Sequence, residues 1–479
     1  MKRTIGVILS CALLLTAFCG CSSVQNEDGG VETPKSESAP PPAKPLVVFY
    51  PEWLEGRTST GRVFRTAARI FTERYGIEVE IYPSPPWQDL MDSGDVAGTL
   101  TSFKTKMAAE IMSGKGPDVF LDEPGLFYSG FDDFYKKMDA GYFLDLNEFI
   151  DNDPEFDINE FESVIMDAGL HRGKRYVMPL SYQVAALLTT EEKLARFGFS
   201  SEDFSTLKRF LTSWETLHTQ FKRLTVPGDQ AWVLTYAGGW FDECLDFETG
   251  KADLDNPSFK RLIELMKAEA IIQKQSYELP LAEFIDPDRD KDAIETARDS
   301  GLFEIANVGV VSYIGELSDN FPGMPEDVVM LPIPNAFGNA AATIDDYCMV
   351  SSQSENKQAA WDFVKILLSE EMQKELWGYP VRSRGTPVRK GCAENYIDTI
   401  VEDYEKRYND RAMDIDPDRF KIAALRLVTS FDNAVIPDTK GILVWQNMGS
   451  YFYPPEGTEA DFEKTKAEAE NYFKIYLSE

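Results

Sequence analysis

The chain has 479 residues, too many for one ordinary core, so two or three folded units are expected. Its make-up (43% apolar, 27% charged, 12% aromatic) is that of a folded mixed protein and not of a disordered or membrane-embedded one. A formal net charge of −32 argues against a nucleic-acid partner, which needs clustered Lys and Arg, and against broad attraction to anionic lipid.

In chain order, Lys2 and Arg3 precede an apolar run from Ile5 to Phe18 that is too short to span a bilayer, so residues 1–20 read as an export signal peptide. The following "FCGC" is similar to the bacterial lipobox. There the cysteine after a small residue, here Cys21, is diacylated and becomes the mature N-terminus, although Phe18 and Cys19 stand where Leu and a small residue are usual. Residues 21–45 are polar and proline-bearing and bury too little to offset their ordering entropy. They form a flexible linker that spans up to about 70 Å when fully extended.

The run Leu46–Tyr50 reads as a buried strand, "GRVFRTAARIFTERYG" as an amphipathic helix stopped by Gly76, and "IEVEIYP" as a strand with one wetter face. A second apolar stripe, Leu100, Phe103, Met107 and Ile111, predicts another helix before the strand "PDVFLDE". This β-α-β-α-β order implies a parallel sheet with right-handed crossovers. Ligands sit beyond the carboxyl ends of such strands, which places Glu52 and Trp53 near Asp122 and Glu123.

Further on, "GKRYVMPLSYQVAALLTT" reads as a turn and strand, and "SWETLHTQFKRL" as a helix capped by Ser213. "NPSFKRLIELMKAEA" reads as an amphipathic helix, "FEIANVGVVSYIG" as a strand ending at Tyr313, and "SENKQAAWDFVKILLSEEMQKELWGYP" as one long helix that stops at Gly378. His171 and His218 are the only histidines and read as surface residues, and "DPDRDKD" reads as a solvated acidic loop, so neither metal nor cofactor is expected. Cys244, Cys348 and Cys392 are odd in number with no CxxC spacing and read as buried free thiols.

Taken in order, the first helix with "GIEVEIY", then "GKGPDVFLDE", "YFLDLNEFI", "GKRYVMPLSYQ", "SWETL", "LPIPN" and "AAWDFVKILLSEEMQKELWGYPVRSR" resemble bacterial extracellular solute-binding proteins of family 1. The resemblance implies an α/β, two-lobe periplasmic-binding-protein-like (type II) fold with a hinge and an interlobe cleft. Lobe 1 would comprise 46–181 and 343–392, and lobe 2 would comprise 182–342 and 393–479. It further implies a monomeric receptor without enzymatic activity, lipid-anchored on the extracytoplasmic face of the cell membrane, that hands a small solute to the permease subunits of an ABC importer.

A sugar ligand needs flat rings against its C–H faces and short polar groups for its hydroxyls. Strand ends and loops offer Glu52, Trp53, Asp122, Glu123, Tyr182, Gln183, Trp240 and Tyr313, then Asp345, Asp346, Tyr347, Tyr379 and Arg382. Each has a plainer reading. The aromatic residues can be core, Asp122 and Glu123 can accept loop amides, and Arg382 can be an ion-pair partner. Two rival functions remain open: the same acids can cage a cationic solute such as a polyamine, or two carboxylates can make a surface glycosidase.

Overall fold

Leu46–Phe49 is apolar throughout and forms a strand of a five-stranded sheet, with Val79–Ile81 on one side and Val119–Asp122 on the other, both parallel to it. The connections are the helices Thr60–Tyr75 and Val96–Met112. Val63, Phe64, Ala67 and Phe71 are buried, as their helical spacing requires, and Gly76 ends that helix with φ +67°. The Asp95 carboxylate accepts from Gly98 N–H at 2.9 Å and caps the second helix. Tyr347–Val350 and then Met178–Pro179 complete the sheet antiparallel, so it is mixed and not wholly parallel.

The computed structural model describes residues 44–51, 60–122, 131, 134–184, 186–196, 198–220, 240–278, 304–306, 328–338, 340–376, 385–408, 417–436, 440–455 and 457–478. All lie in one unit, Ala43–Glu479.

Within it are two separate hydrophobic cores. The first runs from Leu46 to Ala186 and resumes from Ala342 to Ile436. The second gathers Leu194 to Met266, then Leu331 and Ile333, then Leu443 to Phe473. Among the described residues the chain therefore passes between the cores three times: after Ala186, after Ile333 and after Ile436. Tyr396, Phe420, Leu427 and Val428, from the helices Cys392–Tyr408 and Pro417–Thr429, pack in the first core.

Two further sheets stand at these passages. One has the order Thr386–Pro387, Ser181–Val184, Ala341–Ile344, Asn433–Val435. The other sets Ala186–Thr190 between Glu304–Ala306 and Val328–Pro332, all antiparallel.

Three local expectations change. Ser213 is not a helix cap: the helix is Leu207–Gln220, and the Ser213 hydroxyl donates to the Asp203 carbonyl at 3.0 Å from inside it. His171 is not a surface residue. It is 2% exposed, tilted against the ring of Tyr135 and bonded through Nε2 to Asp139 Oδ1 at 2.9 Å. The long helix is interrupted after Leu367 and continues as a wide turn, Met372–Leu376. The buried Gln373 side chain explains the break. It donates to the Leu180 carbonyl and accepts from Val388 N–H, bonds to other segments, and donates to the Leu367 carbonyl six residues back, a bond that a regular helix would not position. Cys244, Cys348 and Cys392 are buried free thiols, as expected.

Candidate ligand-binding site at the chain crossings

The two central strands of the crossing sheet pair Val184 with Ala342, Gln183 with Thr343 and Tyr182 with Ile344. Side chains alternate along a strand and paired residues share a face, so register assigns every side chain. Tyr182, Val184, Ala342 and Ile344 face the first core. The Tyr182 hydroxyl donates to the Val428 carbonyl at 2.7 Å, its ring packs edge-on against Phe431, and burial pushes its pKa up. The opposite face carries Ser181, Gln183, Thr343 and Asp345, with Asn433 on the neighbouring strand. One face is thus apolar, and the other carries the sheet's polar side chains beside Ala341, Val435 and Pro387.

The polar face is tightly organised at one end. The Ser181 hydroxyl donates to Asp346 Oδ2 at 2.9 Å and accepts from Asp346 N–H at 3.1 Å. Gly385 lies against them: a Cβ there would sit 2.6 Å from Ser181 Oγ and 3.1 Å from Asp345 Oδ2. The edge strand reaches this position only because residue 385 lacks a side chain.

At the other end the chain returns through Pro334–Gly338. Asn335 Oδ1 accepts from Phe337 N–H at 3.0 Å and Gly338 N–H at 2.7 Å, an Asx turn, and from Asn433 Nδ2 at 3.3 Å. These donors fix the orientation of the amide. Among the described residues, two buried side-chain donors have no hydrogen-bond partner: Asn335 Nδ2 and Gln183 Nε2, on residues 2% and 4% exposed. Leaving such a group unmatched costs about 1–3 kcal/mol, so both are poised for an acceptor.

Of the residues expected from sequence, Asp122, Tyr182, Gln183, Asp345, Asp346 and Tyr347 come together where this sheet meets the first one. Tyr347 pairs with Asp122 and with Pro179, and the Asp346 carbonyl accepts from Leu180 N–H and Ser181 N–H. Trp240 does not join them as an open ring. It is 2% exposed in the second core, edge-on to Phe210, and its indole N–H donates to the Pro334 carbonyl at 2.8 Å. Cys21, Glu52, Trp53, Glu123, Tyr313, Tyr379 and Arg382 lie outside the described residues. Sequence reasoning missed Ser181, Asn335 and Phe337. The turn signal in "PNAFG" marks the loop, but only the fold shows that it crosses between cores. Among the described residues no group of His, Cys, Asp and Glu is arranged to hold a metal ion, and no helix is long and apolar enough to cross a membrane.

The family model for bacterial extracellular solute-binding proteins matches residues 57–374. The chain belongs to that family.

Solved structures of such solute-binding proteins share its fold at low identity. A sugar-binding protein, MalE, from Xanthomonas citri is 11% identical with a TM-score of 0.56, over 91% of this chain and 98% of that one. An ABC substrate-binding protein from Listeria monocytogenes, in complex with cycloalternan, is 13% identical with a TM-score of 0.51, over 91% and 98%. A solute-binding protein from Thermotoga lettingae, bound with α-D-tagatose, is 15% identical with a TM-score of 0.50, over 91% and 100%. No curated protein matches the sequence. The fold is therefore the two-lobe, hinged α/β architecture of periplasmic binding proteins, and the chain is an extracellular solute-binding protein of the ABC-importer type.

Proposed function

We propose that this solute-binding protein is a lipid-anchored receptor that captures a neutral oligosaccharide and presents it to the permease of an ABC importer. The two cores serve as the bodies of the two lobes, lobe 1 taking 46–186 and 342–436 and lobe 2 taking 194–333 and 443–473, the segments that pack in each. Acylation at Cys21 holds the protein at the extracytoplasmic face of the membrane, and hinge closure around the solute changes the surface offered to the permease.

The observation that carries the choice of ligand is the pair of unmatched amide donors, Gln183 Nε2 and Asn335 Nδ2. Sugar hydroxyl and ring oxygens accept such bonds. The ammonium groups of a polyamine are donors only and would leave both amides unsatisfied. Structural relatives support the same class, since the Xanthomonas citri protein is named as sugar-binding and the Listeria protein holds cycloalternan. The buried Asp122, Asp345 and Asp346 favour the cationic alternative, but sugar hydroxyls also donate to carboxylates, so these acids fit either ligand and the amides decide between them. The glycosidase reading gains nothing from this geometry.

A thermal-shift screen with mannotriose, maltotetraose, cycloalternan, putrescine and spermidine tests the proposal. A ligand at 100 times its dissociation constant adds about 2.7 kcal/mol of stability. Stabilisation by an oligosaccharide that is insensitive to salt supports the reading. Stabilisation by spermidine alone, fading as salt is added, overturns it.

A further inference from the structure

We infer that the crossing loop Pro334–Gly338 is itself a solute-reading element, with Asn335 as an N–H donor to a sugar oxygen and Phe337 as the ring beneath a C–H face. The inference rests on the receptor reading above and assigns residues that reading does not need.

The loop is held from three directions before any ligand arrives. Trp240 of the second core donates to the Pro334 carbonyl, and Asn433 of the crossing sheet donates to Asn335 Oδ1. Beyond the turn, Ala340 N–H donates to Asp432 Oδ1 at 3.3 Å, and Asp432 N–H returns a bond to the Ala340 carbonyl. A segment fixed this way loses little further freedom on binding, which favours affinity. Three donors occupy Asn335 Oδ1 while its Nδ2 has no partner, an imbalance that the turn alone does not require. Two residues on, Phe337 is 65% exposed, the most exposed large apolar side chain among the described residues. An exposed phenylalanine on a loop this rigid contributes no packing to either core. Asn335 Nδ2 is buried, so a solute reaches it only when the segments around it move. One loop thus supplies a donor for a hydroxyl edge and a flat face for the ring carbons, the two features of a pyranoside.

Asn335→Asp is the informative substitution. The carboxylate still accepts from Phe337 N–H, Gly338 N–H and Asn433, so the turn is kept, while the N–H donor is lost. Mannotriose and maltotetraose are titrated by tryptophan fluorescence against the wild type, N335D, F337A and F337W, with urea midpoints measured alongside. The expected result is a loss of about tenfold or more in affinity for N335D and about tenfold for F337A. F337W should bind as the wild type does, and the F337A midpoint should not move. Should N335D fail to fold, F337A carries the test, because its ring is largely in solvent. Wild-type binding that persists unchanged in both N335D and F337A overturns this inference and leaves the receptor reading standing. Absence of wild-type binding to these two sugars and to cycloalternan overturns both.

Discussion

Arg172 and Glu248 join the two cores directly. The Arg172 backbone N–H donates to Glu248 Oε1 at 3.1 Å, and its guanidinium donates to the Glu248 carbonyl at 2.6 Å. Arg172 sits at the tip of the hairpin Leu170–Arg175 with φ +50°, the only non-glycine residue in left-handed backbone among those described. Lys136, on the first core's side, lies 4.0 Å above the ring of Tyr476, which packs on the second. Glycine suits this backbone better than arginine, so Arg172→Gly removes the guanidinium without harming the turn. In solution scattering, the unliganded Arg172→Gly and Glu248→Ala proteins should have a larger radius of gyration than the wild type. Solute affinity should fall by about two- to fivefold, the share expected of one exposed hydrogen-bonded contact. An unchanged radius would show that the contact does not hold the cores together.

Gly385→Ala tests how closely the edge strand approaches the polar face. The added methyl would meet Ser181 Oγ and press toward Asp345 Oδ2, both on segments pinned by backbone pairing. A loss of about 1–3 kcal/mol in urea unfolding is expected, the usual cost of overpacking. Solute affinity should fall as well, because the polar face is displaced.

Trp240→Ala separates packing from ligand contact. The ring is enclosed by the second core and bonded to Pro334, so its removal should cost about 3–5 kcal/mol of stability. Trp240→Phe should lose about 1 kcal/mol, the indole hydrogen bond. Were Trp240→Ala to keep its unfolding midpoint and lose only solute binding, the buried placement of this ring would be wrong.

Acid should weaken the first core through Asp153. Burial acts to raise its pKa, but bonds from Lys365 Nζ at 2.7 Å, Trp361 Nε1 at 2.8 Å and Glu155 N–H outweigh burial and hold it below the usual carboxylate range. A carboxyl whose folded pKa is depressed contributes stability above its unfolded value, about 4, and loses it as pH falls through the folded value. Asp153→Asn should therefore be less stable at neutral pH, with an acid limb flatter below about pH 4. Parallel acid limbs in urea titrations of the two proteins would refute this.

The three described cysteines should be silent to thiol reagents in the folded state. Burial pushes the Cys244 thiol up to about 12, helped by Glu243, Asp253 and Asp242, and burial also raises Cys348 and Cys392. Thiolate is the reactive form, so peptide mapping after alkylation at pH 8 should find all three unmodified until denaturant is added. Modification of Cys348 in the native protein would contradict its place in the sheet.

The strands of the first sheet were legible because an unbroken apolar run such as Leu46–Tyr50 has little choice but to be buried on both sides. Sequence also set Tyr182 beside Gln183 at a passage between the halves, but not which of them turns away from the first core. That depends on pairing with Ile344 and Thr343, some 160 residues later, and a shift of one position exchanges their faces. Trp240 shows the opposite limit. Its glycine neighbours imply a loop, while its burial depends on Phe210 and Pro334, which nothing local announces. The break in the helix after Leu367 has the same character, since Gln373 answers to Leu180 and Val388 as well as to its own segment.

The three passages between the cores carry a consequence for biosynthesis. Ile436 packs in the same core as Leu46, so the first half of the molecule cannot finish assembling until the ribosome has made nearly all of the polypeptide. A nascent chain halted anywhere before that point holds strands whose neighbours do not yet exist. Such a chain stays threadable until late, a useful property for anything that must leave the cytosol before it sets.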